Sequence, residues 1–363
     1  MSPPRAAFRT VKSAMAHLQT RSLSSTSGPR HLLSISDLSP AEFTRLVLNA
    51  SSQKAAVKAA FAAGEQPPKP LHGTLAGKTV AMMFSKRSTR TRVSTEAAVQ
   101  LMGGHPMFLG KDDIQLGVNE SLYDTSVVVS SMTSCIVARV NAHKEVADLA
   151  AHSSVPVINA LSSDHHPLQT VADFQTICES FGPARGRQPS DSSLGLEGLK
   201  VAWVGDSNNV LFDLATACVK MGVDISVASP AGYGIPEGMR KLILSAAEGV
   251  AAPGKLVETT VPEEAIKDAD ILVTDTWVSM GQEAESQKRL KAFAGYQITN
   301  ELAKRGGAKP DWKFMHCLPR HPEEVDDEVF YGPRSLVFPE AENRLWAAVA
   351  VLEAFVVNKG NIL

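Results

Sequence analysis

Short apolar runs rich in valine and isoleucine recur along this chain, each set apart by enough residues for a helix. "KTVAMMF" (78–84), "HPMFL" (105–109), "CIVARV" (135–140) and "VPVINA" (155–160) form one series. "LKVAWVGD" (199–206), "DISVAS" (224–229), "KLVETT" (255–260), "ADILVTDTW" (269–277), "WKFMHCL" (312–318) and "SLVF" (335–338) form a second. Continuous rather than alternating apolar strands belong to parallel sheets covered on both faces. Two such series predict an α/β protein of two doubly wound domains with mainly parallel sheets, joined by linker helices, with the active site in the interdomain crevice. The expected divisions are a leader (1–30), a first domain (31–168), a connecting helix (169–184), a second domain (185–340) and a C-terminal helix packing back on the first domain (341–363). The Gly/Pro/Ser stretch "GPARGRQPSDSSLG" reads as a surface loop after the connecting helix.

At 363 residues the chain is long enough for two ordinary domains. A net charge of -2 argues against general nucleic-acid or membrane-surface binding, so any cationic site must be local. No apolar run has the length of a membrane span. The four cysteines, Cys135, Cys178, Cys218 and Cys317, are too few and too scattered for a disulfide scaffold or a paired metal-ligand motif, which points to a reducing compartment. Residues 1–36 differ from the rest: five basic residues, frequent serine and no acid, with Phe8, Val11, Met15 and Leu18 roughly on one helical face. That is the pattern of a mitochondrial transit peptide, with a disordered tail as the alternative.

Ligands of open parallel sheets bind beyond the carboxyl ends of the strands. Here polar and ionisable groups gather at nearly every such end: "KRSTRTR" (86–92), Arg139, "DHHPLQ" (164–169), "GDSNN" (205–209), "DTWVSMG" (275–281), "HCLPR" (316–320) and "PEAENR" (339–344). The first packs Lys86, Arg87, Arg90 and Arg92 together, and cations oppose the dipole at a helix start. A bound dianion, shared between arginine forks and free backbone N–H groups, resolves that conflict; a solvated basic helix start is the bland alternative. "HGTLAGKT" (72–79) is not a phosphate loop, having too few residues between its glycines and preceding its strand. "WVGDSNN" lacks the glycine spacing of a dinucleotide fingerprint, and its paired asparagines suit a carboxylate. His166 alone reads as a satisfied buried histidine; beside Arg139 it becomes a candidate donor to a carbonyl oxygen. Cys317 ends a strand and is placed to line a site. His316 and Cys317 are not expected to share a metal, because strand neighbours point to opposite faces.

Together these residues resemble the aspartate/ornithine carbamoyltransferase family. "STRTR" (88–92) is similar to its carbamoyl-phosphate motif and "HPLQ" (166–169) to its H-P-x-Q motif, while "DTWVSMG" and "HCLP" resemble the ornithine branch. The resemblance implies carbamoyl transfer from carbamoyl phosphate to the side-chain amine of L-ornithine, giving citrulline and phosphate, with no cofactor and no metal. It implies that Ser88, Thr89, Arg90 and Thr91 hold the phosphate, joined by Arg344. Arg139 and His166 would hold the carbonyl oxygen; Gln169 and the Leu318 carbonyl would take the carbamoyl NH2, which suits a cis Leu318–Pro319 bond. Cys317 would line the carbamoyl site near the attacking amine and join Arg139 and His166 as catalytic. Asn209, Asp275, Ser279 and Met280 match ornithine-binding positions, and Gln115 a position that reaches a neighbouring subunit in trimeric relatives. A homotrimer of the mitochondrial matrix, of fungal type, is implied, with carbamoyl phosphate and ornithine as partners and neither nucleic acid nor membrane. Ser85 departs from the acid frequent there. A carbamoyltransferase for another amine, or a non-catalytic metabolite-binding relative, remains the alternative.

Overall fold

The structure is a computed structural model that describes residues 28–362 apart from 70, 112, 115–119, 186–188, 191 and 279–284. The first 27 residues of the expected leader, with Gln115, Ser279 and Met280, lie outside the described residues.

The first half carries α1 (Pro40–Ala62), β1 (Thr79–Phe84), α2 (Thr89–Leu101), β2 (His105–Gly110), α3 (Leu122–Met132), β3 (Cys135–Arg139), α4 (His143–His152) and β4 (Val157–Leu161). Its strands pair in the order β2-β1-β3-β4, every pair parallel. Helix α5 (Pro167–Arg185) leads into the second half. There α6 (Asn209–Lys220), α7 (Glu237–Ser245), α8 (Pro262–Ile266), α9 (Ser286–Ala292), α10 (Asn300–Gly306) and α11 (Asp327–Phe330) surround β5 (Lys200–Val204), β6 (Asp224–Ala228), β7 (Leu256–Thr259), β8 (Ile271–Val273) and β9 (Lys313–Met315). These strands run parallel in the order β7-β6-β5-β8-β9. Each sheet changes direction beside its first strand, between β1 and β3 and between β5 and β8. Those switch points open the crevice where α/β sheets bind ligands.

Central strands are buried as the continuous apolar runs demand: β3 throughout and β1 from Val80 onward. Two of the edge strands break the rule: Met107 of β2 and Val257 of β7 are exposed, because an edge strand has one neighbour and can lack cover, whereas the opposite edges β4 and β9 stay largely buried. "SLVF" does not become a tenth strand. Ser335 makes a single bridge to Phe314, and α12 (Val337–Leu352) begins within the run. Pro339 sits in its first turn, where a missing N–H costs nothing. α12 packs on α1, α2 and α5, the helices of the first half. Phe43 of α1 meets Phe174 of α5 edge-to-face at 5.2 Å beneath it.

Candidate active site

Residue Ser85 leaves β1 with its N–H on the Arg139 carbonyl at 2.8 Å, so the ends of β1 and β3 stay side by side. Ser88 caps α2 by accepting the Thr91 N–H at 3.3 Å. The cations of this segment then part company. Arg90 donates to the Leu318 carbonyl of the second half, whereas Arg92 turns away, pairing with Glu96 at 2.9 Å and stacking on the Phe108 ring at 3.7 Å. The expectation of one four-cation knot is therefore corrected. Positions two apart on a helix lie about 200° apart, so Arg90 and Arg92 cannot face one ligand.

What replaces Arg92 comes from elsewhere in the chain. Arg344, buried on α12, donates to Gln169 Oε1, to Thr91 Oγ1 at 3.2 Å and toward His166 Nε2 at 3.4 Å. Arg139 lies at the end of β3 and is also buried. Burial pulls both guanidinium groups down to about 10, helped for Arg139 by Arg344 and Arg90 and for Arg344 by Arg90. Both stay charged at neutral pH. His166 is held neutral, pushed well below the usual imidazole range by burial and then by Arg344, Arg139 and Arg90. Arg344 can only donate, so Nε2 accepts and the imidazole proton resides on Nδ1. That Nδ1, with Arg139 Nε and Arg344 Nε, is buried without a hydrogen-bond partner among the described residues.

Gln169 is locked. Its amide N–H groups go to Asp173 Oδ1 at 2.7 Å and Glu340 Oε1 at 3.0 Å, while Oε1 accepts from Arg344. The two acids hydrogen-bond each other, which requires a proton between them. Burial raises Asp173 to about 7 and Glu340 well above the carboxylate range.

Across the crevice, Asp275 ends the β8 segment, buried, with the Asn208 amide at 2.8 Å and the Cys317 thiol at 3.1 Å. Burial, then Asp275, raise the Cys317 thiol well above its ordinary value, so it is a donor and not a thiolate. Leu318–Pro319 is cis, as the resemblance implied. The premise about His316 fails: β9 stops at Met315, and ligand atoms of Asp275, His316 and Cys317 lie within 4.8 Å of one another. Both His316 nitrogens are nonetheless engaged, Nδ1 by the Leu318 N–H at 2.9 Å and Nε2 by Glu324 at 3.1 Å. Neither has a lone pair to give a metal.

A cleft of about 760 Å³ adjoins this side, lined by Lys86, Ser162, Asn208, Asn209, Tyr233 and Arg289 among others. Asn209 faces it, and its amide donates to the Ser162 carbonyl at 2.6 Å, which ties the two halves together. Asn208, the other of the paired asparagines, does grip a carboxylate, but one of the protein's own: it caps α6 and holds Asp275. Arg289, bonded to Asp206 at 2.9 Å, carried no signal because it lies mid-helix and not at a strand end. Asp173 and Glu340 did carry one: each sits four residues from a site residue on the same helix, Gln169 and Arg344.

Residues 30–179 match the family model for the carbamoyl-P binding domain of aspartate/ornithine carbamoyltransferases, and residues 197–355 match that for the Asp/Orn binding domain. The mitochondrial ornithine carbamoyltransferase of Emericella nidulans is 72% identical, over 95% of this chain and 94% of its own. The crystal structure of a mitochondrial ornithine carbamoyltransferase from Coccidioides immitis superposes with a TM-score of 0.85 at 67% identity, covering 92% of this chain and all of that one. The Pyrococcus furiosus ornithine carbamoyltransferase gives 0.80 at 42% identity, covering 91% and 98%. With both family models matched in order across most of its length, the chain belongs to the aspartate/ornithine carbamoyltransferase family.

Proposed function

We propose that this protein transfers the carbamoyl group of carbamoyl phosphate to the side-chain amine of L-ornithine, releasing citrulline and phosphate. The observation that carries the reading is the convergence of Arg90, Arg139 and Arg344 on neutral His166, with buried donors left over on Arg139, Arg344 and His166. Those donors suit a small, doubly negative ester with a carbonyl oxygen.

In this reading the amine attacks the carbamoyl carbon, a C–N bond forms, and the C–O bond to phosphate breaks with its electron pair leaving on phosphate. The amine gives up one proton, which the departing phosphate takes, so that it leaves as hydrogen phosphate. Ser88, Thr89, Thr91, Arg90 and Arg344 hold the phosphate at the N-terminus of α2. Arg139 and the His166 Nδ1–H meet the carbonyl oxygen as negative charge grows there; one such donor is worth about 3–4 kcal/mol of barrier. Gln169 Oε1 and the Leu318 carbonyl, each with a second lone pair, accept from the carbamoyl NH2. Asp275 pairs the α-amine of ornithine, with Asn209, Ser279, Met280 and Cys317 around the same substrate. Cation repulsion favours the neutral, nucleophilic form of the side-chain amine.

Residues 31–168 would bind carbamoyl phosphate and 185–340 ornithine, with 341–363 closing on the former. A homotrimer, with Gln115 reaching a neighbour's site, draws support from α3, whose Tyr123, Val127, Val128 and Met132 are exposed, Met132 at 73%. A matrix location draws support from the relatives named mitochondrial and from the acid-free, arginine-bearing residues 1–36. Purified protein given carbamoyl phosphate should form citrulline from ornithine. Turnover only with putrescine or aspartate, or with no amine at all, would overturn the reading.

A further inference from the structure

His166 owes its place to an acid from the other half of the molecule. Asp213, fully buried on α6, accepts the His166 backbone N–H at 2.8 Å through Oδ2. Its Oδ1 takes His165 Nδ1 at 2.9 Å, with Ser34 Oγ and the Ile35 N–H at 3.3 Å. The His165 carbonyl is fixed in turn by the Ser162 N–H at 2.9 Å. His166 immediately precedes α5, so Asp213 also places negative charge at the positive end of that helix. A carboxylate without solvent needs compensation. His165 supplies it: burial works against its protonation, but the hydrogen bond and charge of Asp213, with Asp164 and Asp37, outweigh burial and raise it. Also facing the pair are the His143 ring, which meets that of His165 at 4.7 Å and is pushed below the usual imidazole range by burial and then by His165, and the Lys220 ammonium.

We infer that Asp213 and His165 are a positioning pair for the reaction proposed above: the carboxylate, held by the imidazole, pins the His166 backbone to α6 and so aims the His166 ring into the carbamoyl site. α6 is the helix whose first turn carries Asn208 and Asn209. One rigid element therefore holds both the amine side and the carbonyl-oxygen donor, which fixes their separation. Neither Asp213 nor His165 needs to touch substrate. Loss of the pair lets His166 drift while the phosphate contacts on α2 stay in place.

The test combines Asp213→Asn, His165→Phe and the double variant. His165→Phe keeps a ring in the same space and guards against a misfolded acid variant. Each single variant should lower kcat on the order of tenfold, the loss expected when a hydrogen bond to a charged group no longer holds a reacting group. The KM for carbamoyl phosphate should stay within about twofold, and the double variant should be no slower than the worse single one, as for residues acting as one unit. Hydrogen exchange of the peptide containing His166 should quicken in both single variants while that of β5 does not, whether or not the protein turns over. Unchanged exchange at His166, or multiplied rate losses in the double variant, would overturn the inference. Inactive wild-type protein that still shows the exchange difference would overturn the proposed reaction and leave the pinning intact.

Discussion

Asp275→Asn separates the two substrates. The side chain is buried and already accepts from Asn208 at 2.8 Å and Cys317 at 3.1 Å, so a positively charged α-amine would be its charge partner in a poorly solvated place. Removing one partner of a buried ion pair costs about 3–5 kcal/mol, roughly 150- to 5,000-fold in ornithine affinity. The amide adds a local fault, since its single carbonyl cannot serve both donors and its NH2 must face one of them. Carbamoyl phosphate should be weakened no more than about twofold, because Asp275 shares no hydrogen bond with Arg90, Arg139 or Arg344 and touches the carbamoyl side only through the Cys317 thiol. Calorimetry gives the affinity for carbamoyl phosphate, and steady-state kinetics gives the KM for ornithine. A control lies in the same variant: Asp275 stands second to burial in raising the Cys317 thiol, so its neutral replacement should speed alkylation of Cys317 near pH 8. Equal losses for both substrates, or alkylation unchanged in rate, would refute the division of labour.

Arg90→Lys should cost most of the carbamoyl-phosphate affinity by calorimetry, because an ammonium cannot reproduce a planar fork. Arg92→Ala should leave that affinity within about twofold and lower stability by about 0.5–1 kcal/mol, its guanidinium being committed to Glu96 and Phe108. The rate at low ornithine should rise toward alkaline pH until the amine titrates, since His166 stays neutral across that range; a flat profile from pH 6 to 9 would contradict it. Asp173 rises from 3.8 to about 7 on folding, so the native state binds an extra proton and stability falls as pH climbs through that window. Asp173→Asn, which mimics the protonated acid, should flatten this stretch of the denaturation-versus-pH curve; an unaltered slope would place the proton elsewhere.

The parallel sheets were legible because central strands bury both faces and so read as unbroken apolar runs. The edges were less so: half-covered β2 resembles β1 in composition, and "SLVF" is drawn into a helix by the long helical segment C-terminal to it. The parting of Arg90 and Arg92 was available in the helical period, yet charge clustering along the chain concealed it. Motifs located His166 and Gln169 because their chemistry is local to a helix start, whereas Arg344 lies mid-helix in α12 and was reached through the family resemblance. Asp213 was invisible. Nothing in residues 165 and 213 links them until α6 is packed against the start of α5, and long-range pairing of that kind is decided by tertiary packing alone.

Position 169 shows why the site needs that packing. Three buried or half-buried arginines face two buried carboxyl groups, Asp173 and Glu340, and simple neutralisation would leave nothing for a substrate anion. Gln169 stands between them, its one acceptor turned to Arg344 and its two donors to the acids. No arginine–carboxylate hydrogen bond connects the two groups among the described residues, and the shared proton removes one negative charge from the acid pair. A glutamate at 169 would accept from Arg344 but set a third carboxylate against the other two; a leucine would orphan Arg344 and both acids. Only a neutral side chain with an acceptor at one corner and two donors at the other keeps the excess positive charge facing the crevice. The affinity for a dianion thus depends on an amide and a proton placed behind the arginines as much as on the arginines themselves.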